Sequence, residues 1–274
     1  YDVKYSRLIA TEACRRAKNS KDFILKVFQE TGLKLNIIDT EEEARLAVIS
    51  CAPLVSSKSE QLLVVDIGGG STELVWIDIS AVPSHERPKS IMRLHSGFHS
   101  IESPFPAARV VDWISVPLGV ATLRDQFSDV EDDAARFALM SWYFEEKLTD
   151  FAPYKDNKID TSFQIIGTSG TVTTVASSHL GLRRYDRTKV DGLRMTTDQI
   201  DKVIRSYLEM GPDGRKKDPR IGRDRQALIM SGSAILQAML RSWPTDKLTV
   251  ADRGLREGLL YAQMSANGVL EDVI

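Results

Sequence analysis

Nine consecutive residues, Val65-Asp66-Ile67-Gly68-Gly69-Gly70-Ser71-Thr72-Glu73, restrict the fold of this chain more than any other feature. Before the glycines, residues 62–66 form a continuous apolar run closed by an acid, which reads as a buried strand. After them, residues 71–79 read as a second strand. Only Ile67 to Gly70 separate the two, so a hairpin with a glycine tip is expected. Three glycines in a row allow positive φ and leave backbone N–H groups uncovered, a nest suited to an anion such as phosphate. Asp66 ends the first strand, and Ser71 and Glu73, two apart, share one face of the second. Carboxylates beside a phosphate nest are the oxygen ligands that a hard cation such as Mg²⁺ takes while bridging phosphate oxygens. The plain alternative is a glycine-rich hairpin with exposed acids.

The rest of the chain alternates strand and helix. Residues 6–11 and 33–39 read as strands, and 12–29 and 40–51 as helices, with Gly32 closing the first helix and Pro53 stopping the second. Residues 55–60 look like a polar connector, and 81–112, with four prolines, are the least regular stretch. Residues 116–127 form a further segment, and helical patterns follow over 131–151, 168–180, 197–210 (Thr197 as N-cap), 223–241 and 255–264, with buried strands at 162–166 and 248–250. This alternation predicts an α/β fold, and the hairpin predicts a mixed sheet.

Four further segments carry chemistry-bearing residues. Gly167-Thr168-Ser169-Gly170-Thr171 follows a strand and opens a helix, an anion site in form, although an ordinary capped helix reads the same way. It is neither a nucleophile elbow nor a P-loop, lacking the required second glycine and the lysine. Thr40-Glu41-Glu42-Glu43-Ala44-Arg45 reads as a capping box from Thr40 to Glu43; alternatively, Glu43 is a general base. Arg15, Arg16 and Lys18 stand at a strand-to-helix junction, where they hold phosphate or merely face solvent. Residues 215–225 hold six basic residues against two aspartates, either a local loop that guides a polyphosphate chain or a flexible solvated loop.

Composition narrows the classes. A net charge of −2 gives no global basic field to collect nucleic acid. No run approaches the ~20 apolar residues that span a bilayer. Cys14 and Cys51 have no partners at metal-ligand spacing and read as buried thiols in a reducing, cytoplasmic compartment. His95 and His99 are four apart, but their irregular context argues against a metal site.

Together and in order, ATEACRRAKN, EEEARL, VVDIGGGSTELVW, IIGTSGTV and DRGLREGLLY resemble the exopolyphosphatase / guanosine pentaphosphate phosphatase (Ppx/GppA) family. The resemblance runs from about residue 7 to residue 262. It implies the ribonuclease-H-like fold of the actin and sugar kinase superfamily, with the active site between two domains. On it, residues 1–59 are the C-terminal part of domain I and 60–274 are domain II. It implies hydrolysis of terminal phosphoanhydride bonds of polyphosphate or guanosine pentaphosphate, with Mg²⁺ or another hard divalent cation. Glu43 matches the catalytic carboxylate. Arg15, Gly68, Gly69, Gly70, Ser71, Ser169 and Gly170 match phosphate-side positions, and Asp66 and Glu73 match the metal loop. Members of that family often form a homodimer, and the charge and the apolar runs above predict no nucleic-acid or membrane partner. Two classes stay open beside hydrolysis: a kinase or ATPase of the same superfamily, and a non-catalytic polyphosphate- or alarmone-binding module. Family members begin with a further loop of the form D-x-G-[ST]-N, and nothing here matches it, so the resemblance places that loop before Tyr1. The longer relatives' additional C-terminal domains have no counterpart here either.

Overall fold

The computed structural model of the chain describes residues 3, 5–98, 107–155 and 162–269. β1 (Leu8–Ala10) leads into α1 (Glu12–Arg16) and α2 (Ser20–Thr31), and β2 (Leu35–Ile37) returns parallel to β1. The single helix expected over 12–29 is therefore two. Ala17 is extended, with ψ 125°, and the helix restarts only after Asn19. Asn and Ser favour helix starts over helix interiors, which explains a break at that point. α2 ends on Gly32 in the left-handed region, φ 72°, as read from the sequence.

α3 (Thr40–Cys51) follows. Its N-cap is Asp39, whose carboxylate accepts from Glu42 N–H at 2.7 Å, so the capping box expected between Thr40 and Glu43 does not form. Glu43 is thereby left for other work. β3 (Gln61–Ile67) and β4 (Thr72–Asp78) form the expected hairpin. After α4 (Arg87–Met92), a strand that the sequence reading missed appears inside and beyond the irregular stretch: β5 (Arg109–Val116), antiparallel to β4. β5 is an edge strand with an exposed, charged outer half, so its apolar alternation is weak.

The remaining elements are α5 (Val120–Gln126), α6 (Asp133–Glu146), α7 (Ala152–Lys155), β6 (Phe163–Thr168), α8 (Gly170–His179) and α9 (Arg187–Val190). They are followed by β7 (Arg194–Met195), α10 (Thr197–Lys217), α11 (Ile229–Ser242), β8 (Leu248–Ala251) and α12 (Leu255–Ala266). Three expectations shift here. α8 starts at Gly170 because Thr168 still belongs to β6. Thr196, not Thr197, caps α10, in a reciprocal box with Gln199. α10 also continues past residue 210 through a kink at Gly211 (φ 64°) and Pro212, while 223–225 make only a short turn before α11. His99 lies outside the described residues.

The described residues build a six-stranded sheet in the order β5-β4-β3-β6-β8-β7. β3, β6 and β8 run parallel, so their carboxyl ends lie along one edge. One face packs against α5, α6, α8, α10 and α11, through Leu63, Val65, Leu74, Ile165 and Val250. The other face packs against α3 and α4, with Leu62, Val64, Val75 and Ile166 meeting Val48, Ile49 and Ile91. α12 lies on α3. The connector after α3 is pinned by one buried amide: Gln164 on β6 accepts from Ser56 N–H and Ser59 Oγ, and donates to Leu54 O and Thr249 Oγ1. A buried amide with all its hydrogen bonds made fixes the chain that enters β3 without a desolvation penalty.

Candidate active site

Register places a row of polar residues at the carboxyl edge of the sheet. Ser115 lies opposite Glu73, Glu73 opposite Asp66, Asp66 beside Thr168, and Thr168 beside Ala251. All project on the face that α3 covers, because strand residues alternate and this row keeps the parity of Val64, Val75 and Ile166. Glu73 is 2% exposed and accepts from Ser115 Oγ at 2.8 Å. Asp66 is half-buried at the mouth of a cavity.

Glu43, in the first turn of α3, repels both of these acids. Arg15 holds it in place: Nη2 donates to Glu43 Oε2 at 2.6 Å, Nε and Nη2 to Glu12 Oε2 at 3.2 and 3.1 Å, and Nη1 to Ile38 O at 2.8 Å. Charge-assisted bonds of this kind stabilise by about 1.5–3 kcal/mol each. The break after α1 ends the helix just beyond Arg15 and so sets this geometry. Glu12 was not singled out in the sequence, yet its side chain lies over the glycine tip, 2.9 Å from where a Cβ on Gly70 would stand. Only its place in the ATEACRR segment signalled it.

The glycine tip differs from expectation in mechanism. None of Gly68, Gly69 and Gly70 has positive φ. They are needed for close approach instead. A Cβ on Gly68 would stand 2.9 Å from Ser71 O, and one on Gly119 2.5 Å from Gly68 O. The first amides of α5 fill that gap: Val120 N–H donates to Gly68 O and Ala121 N–H to Gly69 O, both at 2.9 Å. With its carbonyls tied to α5, the tip keeps the N–H groups of Gly69, Gly70 and Ser71 without a protein acceptor among the described residues. Unpaired donors at a turn form an anion site.

The cavity, about 650 Å³, runs from Asp66 along the first turn of α8, the loop 219–225 and the first turn of α12. Ser169 sits at φ 123°, the positive-φ residue other than glycine among those described, and caps α8 by accepting from Thr171 N–H. Backbone strain of this sort collects at functional sites. Arg225 lies against Gly170, so closely that a Cβ there would overlap its guanidinium. Thr168 Oγ1 donates to Arg253 O, and the Arg253 guanidinium is held by Asp191 and Tyr261. The structure thus brings Arg15, Glu43, Asp66, Gly68 to Ser71 and Glu73 together, with Ser169 and Gly170 across the shared Asp66. The basic stretch divides: Arg215 is buried on Asp133, while Arg220, paired with Asp218, and Arg225 line the cavity.

Burial raises both acids. The Asp66 carboxyl is pushed up to about 6 by desolvation and then by Glu43. Glu73 is pushed to about 7 by desolvation, with Asp66 and Glu43 adding and Ser71 and Ser115 opposing. Among the described residues no three His, Cys, Asp or Glu side chains form a ready-made metal cluster. The donors are nevertheless all oxygens and mutually repelling. That set fits a hard cation held by one or two carboxylates and completed by substrate phosphate oxygens. A measurable consequence follows. An acid raised in the folded state stabilises fully below its unfolded pKa, near 4, and that contribution is lost as pH rises through 6 to 7. For Glu73 the loss is on the order of 3 kcal/mol. The metal-free protein is therefore expected to melt lower at pH 8 than at pH 5. Added Mg²⁺ should raise the melting temperature more at pH 8, where both carboxylates are charged. Equal Mg²⁺ shifts at the two pH values, followed by differential scanning fluorimetry, refute a cation site at Asp66 and Glu73.

The sequence pattern of the Ppx/GppA phosphatase family matches residues 1–267. The chain belongs to the Ppx/GppA phosphatase family. It is 26% identical over 261 residues to the guanosine-5'-triphosphate,3'-diphosphate pyrophosphatase of Aeromonas salmonicida, covering 95% of this chain. The chain spans 45% of the length of that curated relative. The crystal structure of the Aquifex aeolicus Ppx/GppA family member superposes with a TM-score of 0.72 at 29% identity, covering 95% of this chain and 74% of that one. An exopolyphosphatase from Cytophaga hutchinsonii shares the fold, with a TM-score of 0.75 at 20% identity, over 95% of this chain and 75% of its own. The Ppx/GppA chain accordingly has the ribonuclease-H-like fold of the actin and sugar kinase superfamily: an antiparallel β3-β4-β5 meander continued by parallel β6 and β8.

Proposed function

We propose that this Ppx/GppA chain hydrolyses terminal phosphoanhydride bonds of inorganic polyphosphate by attack of water. The observation that carries the reading is the Arg15-held Glu43 carboxylate beside Asp66 and Glu73, next to the open N–H groups of the Gly69–Ser71 tip. Glu43 takes the proton from water as it attacks the terminal phosphorus. Arg15 orients Glu43 through the Nη2 bond to its Oε2. The tip amides, with Ser169 and Gly170 at the start of α8, cradle phosphate oxygens and place the leaving oxygen in line. Asp66 and Glu73 would hold Mg²⁺, which supplies neutralisation of charge on the phosphoryl oxygens. No side chain is asked to form a covalent intermediate. The division we propose, at residues 59 and 60, gives Arg15 and Glu43 to one side of the site and the glycine tip to the other.

Guanosine pentaphosphate is the second substrate reading. The name of the Aeromonas salmonicida relative and the 650 Å³ cavity beyond Asp66 favour it. The test is phosphate release from polyphosphate and from guanosine pentaphosphate, side by side, with Mg²⁺ and with chelator, on protein whose N-terminus has been verified by mass. Mg²⁺-dependent release, faster from polyphosphate, is expected. Faster release from guanosine pentaphosphate selects the second substrate. Transfer to an acceptor other than water reveals a kinase. Binding of both compounds without release refutes hydrolysis and leaves a binding module.

A further inference from the structure

The helical layer on the opposite face of the sheet encloses a second cavity, about 440 Å³, among α5, α6, α10 and α11. Arg124, Arg136, Arg215, Lys216 and Arg223 line it against a single carboxylate, Asp133. The cavity beside Asp66 balances four arginines with four carboxylates. Asp133 is already committed, since its two oxygens accept from Arg215 Nη1 and Nη2 at 2.8 Å each, and Arg215 is 4% exposed. Arg136 donates to the carbonyls of Val130 and Glu131 and meets no carboxylate among the described residues. Arg223 has no hydrogen-bond or ion-pair partner among them. The partners of Arg124 and Lys216, Asp125 and Asp213, stand outside the cavity lining.

A cavity with this surplus of cations, in a chain whose net charge is −2, is built for an anion. One phosphate would neutralise few of the cations and leave much of 440 Å³ to water. Linked phosphoryl groups can span the Arg223 fork and the Nη1 groups of Arg124 and Arg136, which the bonds to Asp125, Val130 and Glu131 leave over. We propose that this cavity binds an oligophosphate anion, a short chain of linked phosphoryl groups, either free or as the 5′ tail of a nucleotide. The site is separate from the row of acids at Asp66 and does not depend on the hydrolytic reading. The loop 219–226 walls both cavities, with Arg225 lining the first and Arg223 and Gln226 the second.

Arginine footprinting with phenylglyoxal, read by peptide mass spectrometry on the chain in chelator, tests it. The probes are inorganic tripolyphosphate, orthophosphate, a nucleoside triphosphate and potassium chloride at matched ionic strength. Arg124 and Arg223 are expected to react several-fold more slowly with tripolyphosphate or the nucleotide, and at nearly the free rate with orthophosphate or chloride. In Arg223→Gln, whose side chain has no partner to lose, protection of Arg124 should need several-fold more tripolyphosphate. Unchanged reactivity in tripolyphosphate overturns the proposal, as does equal protection by chloride or an unaltered concentration dependence in Arg223→Gln. Protection by the nucleotide alone also overturns it, because such a site reads the base. Arg220 and Arg225 report the first cavity in the same digest, so the two sites succeed or fail separately.

Discussion

Glu43→Gln is expected to lower turnover by on the order of 10²- to 10⁴-fold while leaving KM nearly unchanged, the loss typical of a removed general base. The substitution keeps the shape of the side chain and an oxygen for Arg15 Nη2, so the α1–α3 contact survives. It removes only the carboxylate proposed to accept the proton. Arg15→Lys separates positioning from catalysis. It loses the fork that engages Glu43, Glu12 and Ile38 O at once, so a smaller fall in turnover is expected. KM should change less than kcat, because the substitution loosens Glu43 without removing a group of the glycine tip. A Glu43→Gln enzyme that retains most of its turnover at saturating polyphosphate would rule Glu43 out as the base.

Gly258→Ala is expected to damage stability and activity together, although residue 258 is no member of the proposed site. α12 crosses α3 at Gly258 so closely that a Cβ would stand 2.0 Å from Leu46 O and 2.7 Å from Leu46 C. The obstacle is backbone, which cannot rotate aside, so the helices must separate. Leu46 is 0% exposed, so α3 is already packed at the crossing. Overpacking of this kind costs about 3 kcal/mol at the upper end of its usual range. For a chain of this size that lowers the melting temperature by roughly 6–12 °C. The first turn of α3 carries Glu43, so its displacement should also reduce kcat by more than the unfolded fraction explains. Leu260→Ala, on the exposed face of α12, serves as the control and should change neither quantity much. A Gly258→Ala protein with unaltered melting and kcat would show that the two helices are free to move apart without cost.

Much of this architecture is written locally. The buried run before Asp66, the glycine tip, the α3, α6 and α12 patterns and the Gly32 cap depend on neighbours within one or two turns, and each lies where the periodicity puts it. The hairpin that carries Asp66 and Glu73 on its two arms was legible too, and its register then sets the two residues opposite each other. β5 was not legible, since an edge strand bearing Arg109 and Asp112 has no strong alternation to read. Thr40 and Glu43 carried the spacing of a capping box, but Asp39, one residue earlier, took the cap.

The sequence by itself determined the α/β class, the family and the segments from which a phosphate site could be assembled. Tertiary structure decided what those segments do to one another. Arg15 turns inward to Glu43, 28 residues away, and Ser115 reaches Glu73 across 42. Arg215 leaves the basic stretch for Asp133, and the three glycines serve close approach rather than unusual φ. Periodicity and capping follow from bonds between near neighbours along the chain. Charge pairing, burial and backbone clearance depend on which distant segments the core brings within a few ångströms, and no local pattern encodes that distance.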